Sequence, residues 1–217
     1  MKALFESGFH ELYDASQLRS LYAFENFGVQ GDSILGWIAP TEITVEKLID
    51  RDDAVHDRPI FAASQVHYVV EMFGIDLTTA VLAQRLLNGW MARGARWMKS
   101  PDVACDVELS GNDVYCLFPA EIEFDKGEDM TQFVLSGRFH YSIPGCKKLS
   151  VSIATASPVS CLIHAGINVS TEGTPVQTAA LDMLGIDPVA YGEWVAENFA
   201  KDYEKVLAAT TKVRWVP

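Results

Sequence analysis

Hydrophobic and polar positions alternate along much of the second half of the chain. A period of two residues is typical of β-strands that bury one face. The segments with this pattern are VACDVEL (103–109), DVYCLF (113–118), AEIEF (120–124), FVLSGRFHYSI (133–143), KLSVSIAT (148–155) and VSCLIHAGINV (159–169). Turn sequences such as Gly111–Asp113 separate them. The pattern therefore predicts a run of mainly antiparallel strands.

The beginning of the chain has a different pattern. Residues 16–28 predict a short helix that Ser16 caps and Gly28 ends. The apolar run at 31–40 predicts a buried strand. Residues 41–61 are polar and mixed, and we interpret them as connecting structure.

Longer helices are predicted on both sides of the strands. Residues 63–74 are expected to form a helix, and Asp76 is expected to cap a second one that continues to residue 99. Two more helices are predicted at 176–185 and 187–209, the last one with Pro188 in its first turn. The predicted apolar stripe of the 76–99 helix consists of Leu77, Val81, Leu86, Trp90 and Met98.

The order of these elements indicates the fold class. Helices, then mainly antiparallel strands, then helices are typical of an α+β protein. We therefore expect a mainly antiparallel central sheet with flanking helices. A length of 217 residues favours a single domain over residues 1–217.

Charge and composition exclude several classes of function. The net charge of −12 argues against a nucleic-acid partner, because neutralising phosphates needs a basic surface. No run of 18 apolar residues predicts a membrane span, and the first residues lack a signal-peptide core, so we expect a cytoplasmic protein. The four cysteines form no CxxC pair, which favours reduced, mostly buried thiols over a zinc site.

The last two predicted strands bring polar side chains close together. A hairpin turning at Ser157–Pro158 would place the two ends of the pair, near 148 and 168, side by side. We predict that Lys148 and Asn168 line one pocket and contact the same small ligand, with Gly166 allowing close approach. The polar positions assigned to this surface are Lys148, Ser150, Ser152, His164, Gly166 and Asn168. The alternative is an ordinary sheet with one face in solvent.

Three motifs in this region resemble a known group of enzymes. They are NDVY (112–115), KLSVS (148–152) and IHAGINV (163–169). In this order, residues 112–207 resemble the catalytic domain of biotin protein ligases, lipoate protein ligases and octanoyltransferases. The whole chain, including FGVQGDSILGW and EGTPV, resembles the uncharacterised family called domain of unknown function 366. The resemblance implies a fold of the class II synthetase and biotin/lipoate ligase type.

The resemblance to the ligases also implies roles for particular residues. In those enzymes the lysine that leads the strand contacts the activated acyl group and its phosphate, and Lys148 is the matching position. A cation there stabilises charge that develops on the carbonyl and the leaving group. Asn112 and Asp113 match a pair near the same pocket.

The chain also departs from the ligase pattern. The arginine-rich nucleotide loop has no counterpart, because SILGWIAPTEI (33–43) contains no arginine. The glycine expected three residues after the lysine is Val151. The cysteine of the octanoyltransferases is missing, and Cys161 lies on the opposite side of its strand from His164. We therefore expect weak or absent binding of ATP.

Two other histidines are weaker candidates for a site. His67 and Glu71 lie four positions apart and could share a metal, but without a third ligand a pair on a helix surface is favoured and no metal site is predicted. His140 lies on a predicted strand and is expected to serve packing or a cross-strand pair.

Two functions remain open at this point. One is an enzyme that activates or transfers a small acyl or carboxylate group, with Lys148 as its electrostatic centre. The other is a non-catalytic module that keeps the pocket for a small molecule but has lost nucleotide activation. The sequence identifies no cofactor, and it leaves a homodimer open.

Overall fold

The computed structural model describes residues 1–119, 145–214 and 216. The strands in this part are β1 (Lys2–Phe5), β2 (Ser33–Ile43), β3 (Ile60–Phe73), β4 (Asp106–Ser110), β5 (Asp113–Leu117), β6 (Cys146–Lys148), β7 (Ser150–Ala156) and β8 (Ser160–Asn168). The α-helices are α1 (Tyr22–Phe27), α2 (Arg51–Val55), α3 (Leu77–Met98) and α4 (Pro188–Thr210). Short 3₁₀ helices cover Val45–Lys47 and Asp182–Leu184. The strands predicted at 120–124 and 133–143, and with them His140, lie outside the described residues.

The main sheet has five strands in the order β1-β2-β3-β8-β7. The β1 and β2 strands are parallel, and the other neighbours are antiparallel. With α3 and α4 packed beside it, the sheet confirms the expected α+β class with a mainly antiparallel centre.

The prediction of a helix at 63–74 is wrong, because these residues belong to β3, the central strand. Periodicity alone does not distinguish a helix from a strand when both faces of the element are buried. In the structure, successive side chains of β3 alternate between the two faces of the sheet. One face of β3 presents Val66, Tyr68, Val70 and Met72, and the other presents Gln65, His67, Val69 and Glu71. Both faces are buried.

The two faces of the main sheet pack against different partners. The face that carries Tyr68 and Ile163 packs against α3 and α4 and forms the larger core. The opposite face carries Trp37 and Val69 and is covered by the segment around Tyr13 to Ala23. Polar residues of β3 and β8 on this second face are therefore buried under the N-terminal segment.

The long helix α3 begins where the sequence predicted but buries a different stripe. Asp76 caps it by accepting a hydrogen bond from the Thr79 amide at 2.7 Å. Leu77, expected in the core, is 46% exposed. The buried face is made largely of small residues, which let the helix lie close to its neighbours: Ala80, Ala83, Leu87, Met91, Ala92, Gly94 and Ala95.

Three other helix predictions have mixed outcomes. Helix α1 begins at Tyr22 after the left-handed Leu21, not at Ser16, and ends at Gly28 as predicted. The helix expected at 176–185 is reduced to a single 3₁₀ turn. Helix α4 has the predicted Asp187 cap, which accepts from the Ala190 amide at 2.7 Å. Across the described residues, no helix combines the length and the apolar character that crossing a bilayer requires.

A smaller sheet of three strands, in the order β4-β5-β6, adjoins the main one. The chain passes from β6 to β7 through a single residue, Leu149. Its amide donates to the Val114 carbonyl in the small sheet at 2.8 Å, and its carbonyl accepts from the Asn168 amide in the main sheet at 3.0 Å. Leu149 is fully buried and joins the two sheets.

Candidate ligand-binding site

The register of β7 and β8 contradicts the predicted common polar surface. Val151 lies opposite Gly166, and Ile153 lies opposite His164. Residues directly opposite each other in a sheet share a face. Ser150 and Ser152 therefore point away from the histidine, because the turn pairs even positions of β7 with odd positions of β8.

The two serine hydroxyls hold the sheets and α3 together. Ser152 Oγ donates to the Asn112 carbonyl at 2.6 Å and accepts from Gln84 Nε2 at 2.7 Å and Asn88 Nδ2 at 2.9 Å. Ser150 Oγ accepts from the Val114 amide at 2.9 Å. Both hydroxyls thus serve structural contacts.

A cavity of about 230 Å³ opens on the second face of the main sheet. It lies between the β7–β8 pair and the segment from Ile43 to Ile60. Its apolar wall includes Ile43, Leu48, Ile60, Val151 and Ile153. Its charged or titratable wall includes Lys47, Asp50, Asp53, Asp113, Lys148 and His164.

Lys148 and Asp113 form an ion pair on the wall of this cavity. Lys148 Nζ lies 3.0 Å from Asp113 Oδ2, and the two side chains are 19% and 22% exposed. Burial raises the pKa of the Asp113 carboxyl, the Lys148 ammonium lowers it, and the carboxylates of Asp53 and Asp50 raise it further, with a net upward shift. The Asp113 carboxyl therefore takes up a proton more readily than an exposed aspartate.

Asn112, the neighbour of Asp113, also lines the cavity. Its carbonyl oxygen accepts from the Asn88 amide group at 2.7 Å. Its side-chain oxygen, Oδ1, is buried and has no hydrogen-bond partner among the described residues. An unpartnered buried acceptor is costly, and a ligand donor could satisfy it.

His164 forms part of the cavity wall, and two aromatic residues hold its ring in place. Tyr13 stacks on it with ring centroids 3.7 Å apart and planes at 11°. The Nε2 atom of His164 lies 3.2 Å from Nδ1 of His67. Burial lowers the pKa of His67 to about 4, and burial together with His67 lowers the pKa of His164 well below its usual value.

A second cavity of about 130 Å³ is lined by Lys148, which also lines the first cavity, and by Ser150 and Asn168. Of these two, the first is the larger cavity. Asn168 is buried, and its amide is already occupied. Its Oδ1 accepts from Gln65 Nε2 at 2.7 Å, and its Nδ2 donates to the Ala179 carbonyl at 3.1 Å. Asn168 thus braces the segment after β8.

Gly166 makes room for a protein side chain. A Cβ atom added there would lie 2.8 Å from Oε1 of Gln65. The close approach that the sequence suggested is therefore made by Gln65.

His67 and Glu71 have separate roles. His67 bonds to His164, whereas Glu71 accepts from the Leu21 amide at 2.9 Å and from the Ser160 hydroxyl at 2.7 Å. Within the described ranges, no group of three potential metal-binding side chains is found.

The sequence patterns did not identify the cavity wall formed by Lys47 to Asp53, nor Tyr13, which stacks on His164. Residues Lys47 to Asp53 fall in the segment interpreted as connecting structure, and no pattern singled out Tyr13. The acidic run at Asp50, Asp52 and Asp53 was the available signal. Alternation in SQVHYVVE (64–71) could have revealed His67 as a residue of a buried strand.

Known proteins resemble this chain at two levels. An uncharacterized protein from Methanocaldococcus jannaschii is 31% identical over 201 residues, which cover 89% of this chain and 76% of that protein. The structure of a protein of unknown function from Pyrococcus horikoshi matches with a TM-score of 0.78 and 31% identity, covering 100% of this chain and 99% of that one.

A more distant match concerns the fold alone. A mutant biotin protein ligase from Aquifex aeolicus, in complex with biotin, matches with a TM-score of 0.53 and 12% identity. The match covers 94% of this chain and 71% of the ligase. The chain therefore shares the α+β fold of this biotin protein ligase, as expected.

The family model for the domain of unknown function 366 (DUF366) matches residues 2–117 and 143–214. The match omits only a stretch inside the segment between β5 and β6 and the two ends. It agrees with the two relatives at 31% identity, whose functions are likewise unassigned. The chain belongs to the DUF366 family.

Proposed function

We propose that this protein binds a small molecule with an apolar body in the larger cavity, with a polar end of the ligand at the Lys148–Asp113 pair. The observation that carries the proposal is the cavity itself, in which an apolar wall meets a mostly buried ion pair. Small-molecule sites are typically apolar pockets with a few placed polar groups.

The ion pair is better explained by binding than by stability. A buried salt bridge contributes little net stability, because desolvation of both charges offsets their attraction. Here each side chain keeps about a fifth of its surface exposed, and both line the cavity, where a ligand can meet them. A ligand can therefore form a hydrogen bond with Lys148 or with Asp113.

The fold gives independent support. The Aquifex aeolicus ligase is in complex with biotin, so a protein of this fold accommodates a small molecule. Lys148 is also the position that the resemblance matches to the acyl-contacting lysine.

Activation or transfer of a small acyl or carboxylate group is the second candidate, and the location of Lys148 on the cavity wall favours it. Two features favour binding without activation. The region that corresponds to the nucleotide loop is a single strand, β2, in which Ile34, Leu35 and Trp37 are fully buried. The acidic residues Asp50 and Asp53 on the wall disfavour a phosphate-rich ligand.

Native mass spectrometry of the purified full chain tests the proposal. We expect a bound molecule of defined mass that is released on denaturation. Ile153→Trp fills the cavity and should abolish the adduct. Val159→Trp is the matched control, since Val159 is 59% exposed at the hairpin turn and does not line the cavity.

An adduct that survives Ile153→Trp in folded protein would contradict the proposed site. If the purified chain carries no adduct, soaking it with cell extract before the same measurement provides the second trial. Failure of both would contradict the proposed binding function.

A further inference from the structure

The hydrogen bonds around His67 fix the position of its proton. Nε2 of His67 lies 3.1 Å from the carbonyl oxygen of Ala39. A carbonyl oxygen only accepts, so this nitrogen must carry hydrogen. The hydroxyl of Thr41, 3.5 Å from the same nitrogen, donates its own hydrogen to Gln65 Oε1 at 2.6 Å and is therefore also an acceptor here.

The proton on His67 then fixes the proton on His164. A neutral imidazole has one donor and one acceptor nitrogen, so Nδ1 of His67 is an acceptor. Its partner at 3.2 Å, Nε2 of His164, must be the donor. Both rings are buried and their pKa values are lowered by that burial, which keeps them neutral at physiological pH. Nδ1 of His164 is left with an unprotonated lone pair.

The residue that carries this lone pair, His164, lines the larger cavity. Among the described residues, Nδ1 of His164 has no hydrogen-bond partner. It is also not one of the fully buried polar atoms without a partner, which are Asn88 Oδ1 and Asn112 Oδ1. The space that His164 lines is the larger cavity. Tyr13 stacks on the ring and packs against one of its faces.

The wall around His164 disfavours a ligand that carries its own negative charge. Asp50, Asp53 and Asp113 line the same cavity, against Lys47 and Lys148. Each lysine is also paired with an aspartate, Lys47 with Asp14 and Lys148 with Asp113. A ligand carboxylate would face the acceptor nitrogen of His164 and three aspartates against two lysines, so its binding is disfavoured.

We infer that Nδ1 of His164 is a ligand-recognition group, and that the cavity selects a molecule bearing a neutral N–H or O–H donor, such as a primary amide, over a carboxylate of the same shape. The inference rests on the proposed function and names the class of its ligand. The Ala39 carbonyl and His67 act as positioning groups, because they set which nitrogen of His164 is unprotonated.

The protonation pattern can be measured without knowing the natural ligand. Long-range ¹H–¹⁵N correlation spectra of the histidine-labelled full chain report which ring nitrogen carries hydrogen. We expect the Nε2–H form for both His67 and His164 at neutral pH. An Nδ1–H form or an imidazolium at His164 overturns the inference.

A matched pair of probes tests the ligand class. Valeramide and sodium valerate have the same apolar chain and differ in whether the head group donates or only accepts hydrogen bonds. By ligand-observed NMR titration we expect wild-type protein to bind valeramide roughly fivefold or more tightly than valerate, the effect of one net hydrogen bond. His164→Phe, which keeps a ring against Tyr13, should remove this preference.

The outcomes separate this inference from the proposed function. Equal or tighter binding of valerate, abolished by Ile153→Trp, overturns the ligand class and supports the cavity. Binding of both probes that survives Ile153→Trp contradicts the cavity itself. No detectable valeramide binding in the millimolar range also overturns the ligand class. If His164→Phe does not fold, the wild-type spectra and the preference between the probes still decide.

Discussion

His67 and His164 lie 97 residues apart in the sequence and join their imidazole rings at 3.2 Å across β3 and β8. Both rings are almost completely buried. The contact links the backbone carbonyl of Ala39, in β2, to the wall of the larger cavity. A buried polar network of this kind rigidifies a site only while every member keeps its partner.

The buried histidines should make stability depend on pH. The pKa of His67 is lowered to about 4 in the folded protein, against about 6.5 in an unfolded chain, so the unfolded state binds more protons between these values. Stability is therefore lost as the pH falls below about 6.5. From pH 7 to pH 5, His67 alone should lower the free energy of unfolding by about 2 kcal/mol.

Urea denaturation of wild type and His67→Gln at both pH values measures this effect. Glutamine can still donate to Ala39 and accept from His164, but it does not titrate, so the difference between the two pH values should shrink. His10→Gln, at an exposed position, is the control. An equal pH dependence in wild type and His67→Gln would contradict the assignment.

Replacing Gly166 should destabilise the protein through Gln65. In Gly166→Ala the new Cβ meets Gln65 Oε1 at 2.8 Å and disturbs its hydrogen bonds to Thr41 and Asn168. We expect a loss of about 1–3 kcal/mol in unfolding free energy. The matched control is Gly89→Ala in α3, where the new Cβ would meet no atom within 4 Å apart from its chain neighbours and the backbone of its own helix. That change should stabilise the helix by about 0.5–1 kcal/mol, and thermal unfolding of both variants checks the contrast.

Removing the Ser152 hydroxyl should weaken the contact between α3 and β7. Ser152→Ala takes the acceptor away from Gln84 and Asn88, which are both buried. Each unsatisfied donor costs about 1–3 kcal/mol, so we expect a total loss of at least about 2 kcal/mol by urea denaturation. Ser7→Ala, at an exposed position, should change stability by less than about 0.5 kcal/mol. A neutral Ser152→Ala would mean that water replaces the hydroxyl.

Removing the Lys148 charge should raise the pKa of Asp113. The ammonium group opposes the upward shift that burial causes, and Lys148→Met leaves that shift unopposed. The carboxyl should therefore protonate at higher pH, as measured by ¹³C NMR titration of labelled aspartates. Lys47→Met is the control, because its partner is Asp14. An unchanged Asp113 titration in Lys148→Met would contradict the coupling.

The fold class followed from the sequence because strand alternation and helix caps are clear local signals. Alternation over β7 and β8 and the caps at Asp76 and Asp187 fixed these elements locally. The strand β3 was missed because a buried strand and a helix produce similar short apolar runs. In β3 the polar residues Gln65 and His67 alternate with the apolar Val66, but both faces of the strand are buried. The hydrophobic pattern alone therefore did not distinguish this strand from a helix.

The site was harder to predict because it depends on register and on distant segments. Alternation assigns the two faces of each strand, but the turn after Ala156 decides which face of β8 meets which face of β7. That turn brought His164 next to Ile153, away from Ser152. The wall formed by Lys47 and Asp53 comes from tertiary packing, which no local pattern in those residues specifies.

The junction at Leu149 has a mechanical consequence. Lys148 ends β6 of the small sheet and Ser150 begins β7 of the main sheet, and Leu149 between them is hydrogen-bonded to both sheets. No flexible linker therefore separates Lys148, on the cavity wall, from the main sheet. A ligand that binds Lys148 should therefore stabilise the hydrogen bonds at this junction, and we expect slower amide hydrogen exchange in both β5 and β8 when the cavity is occupied.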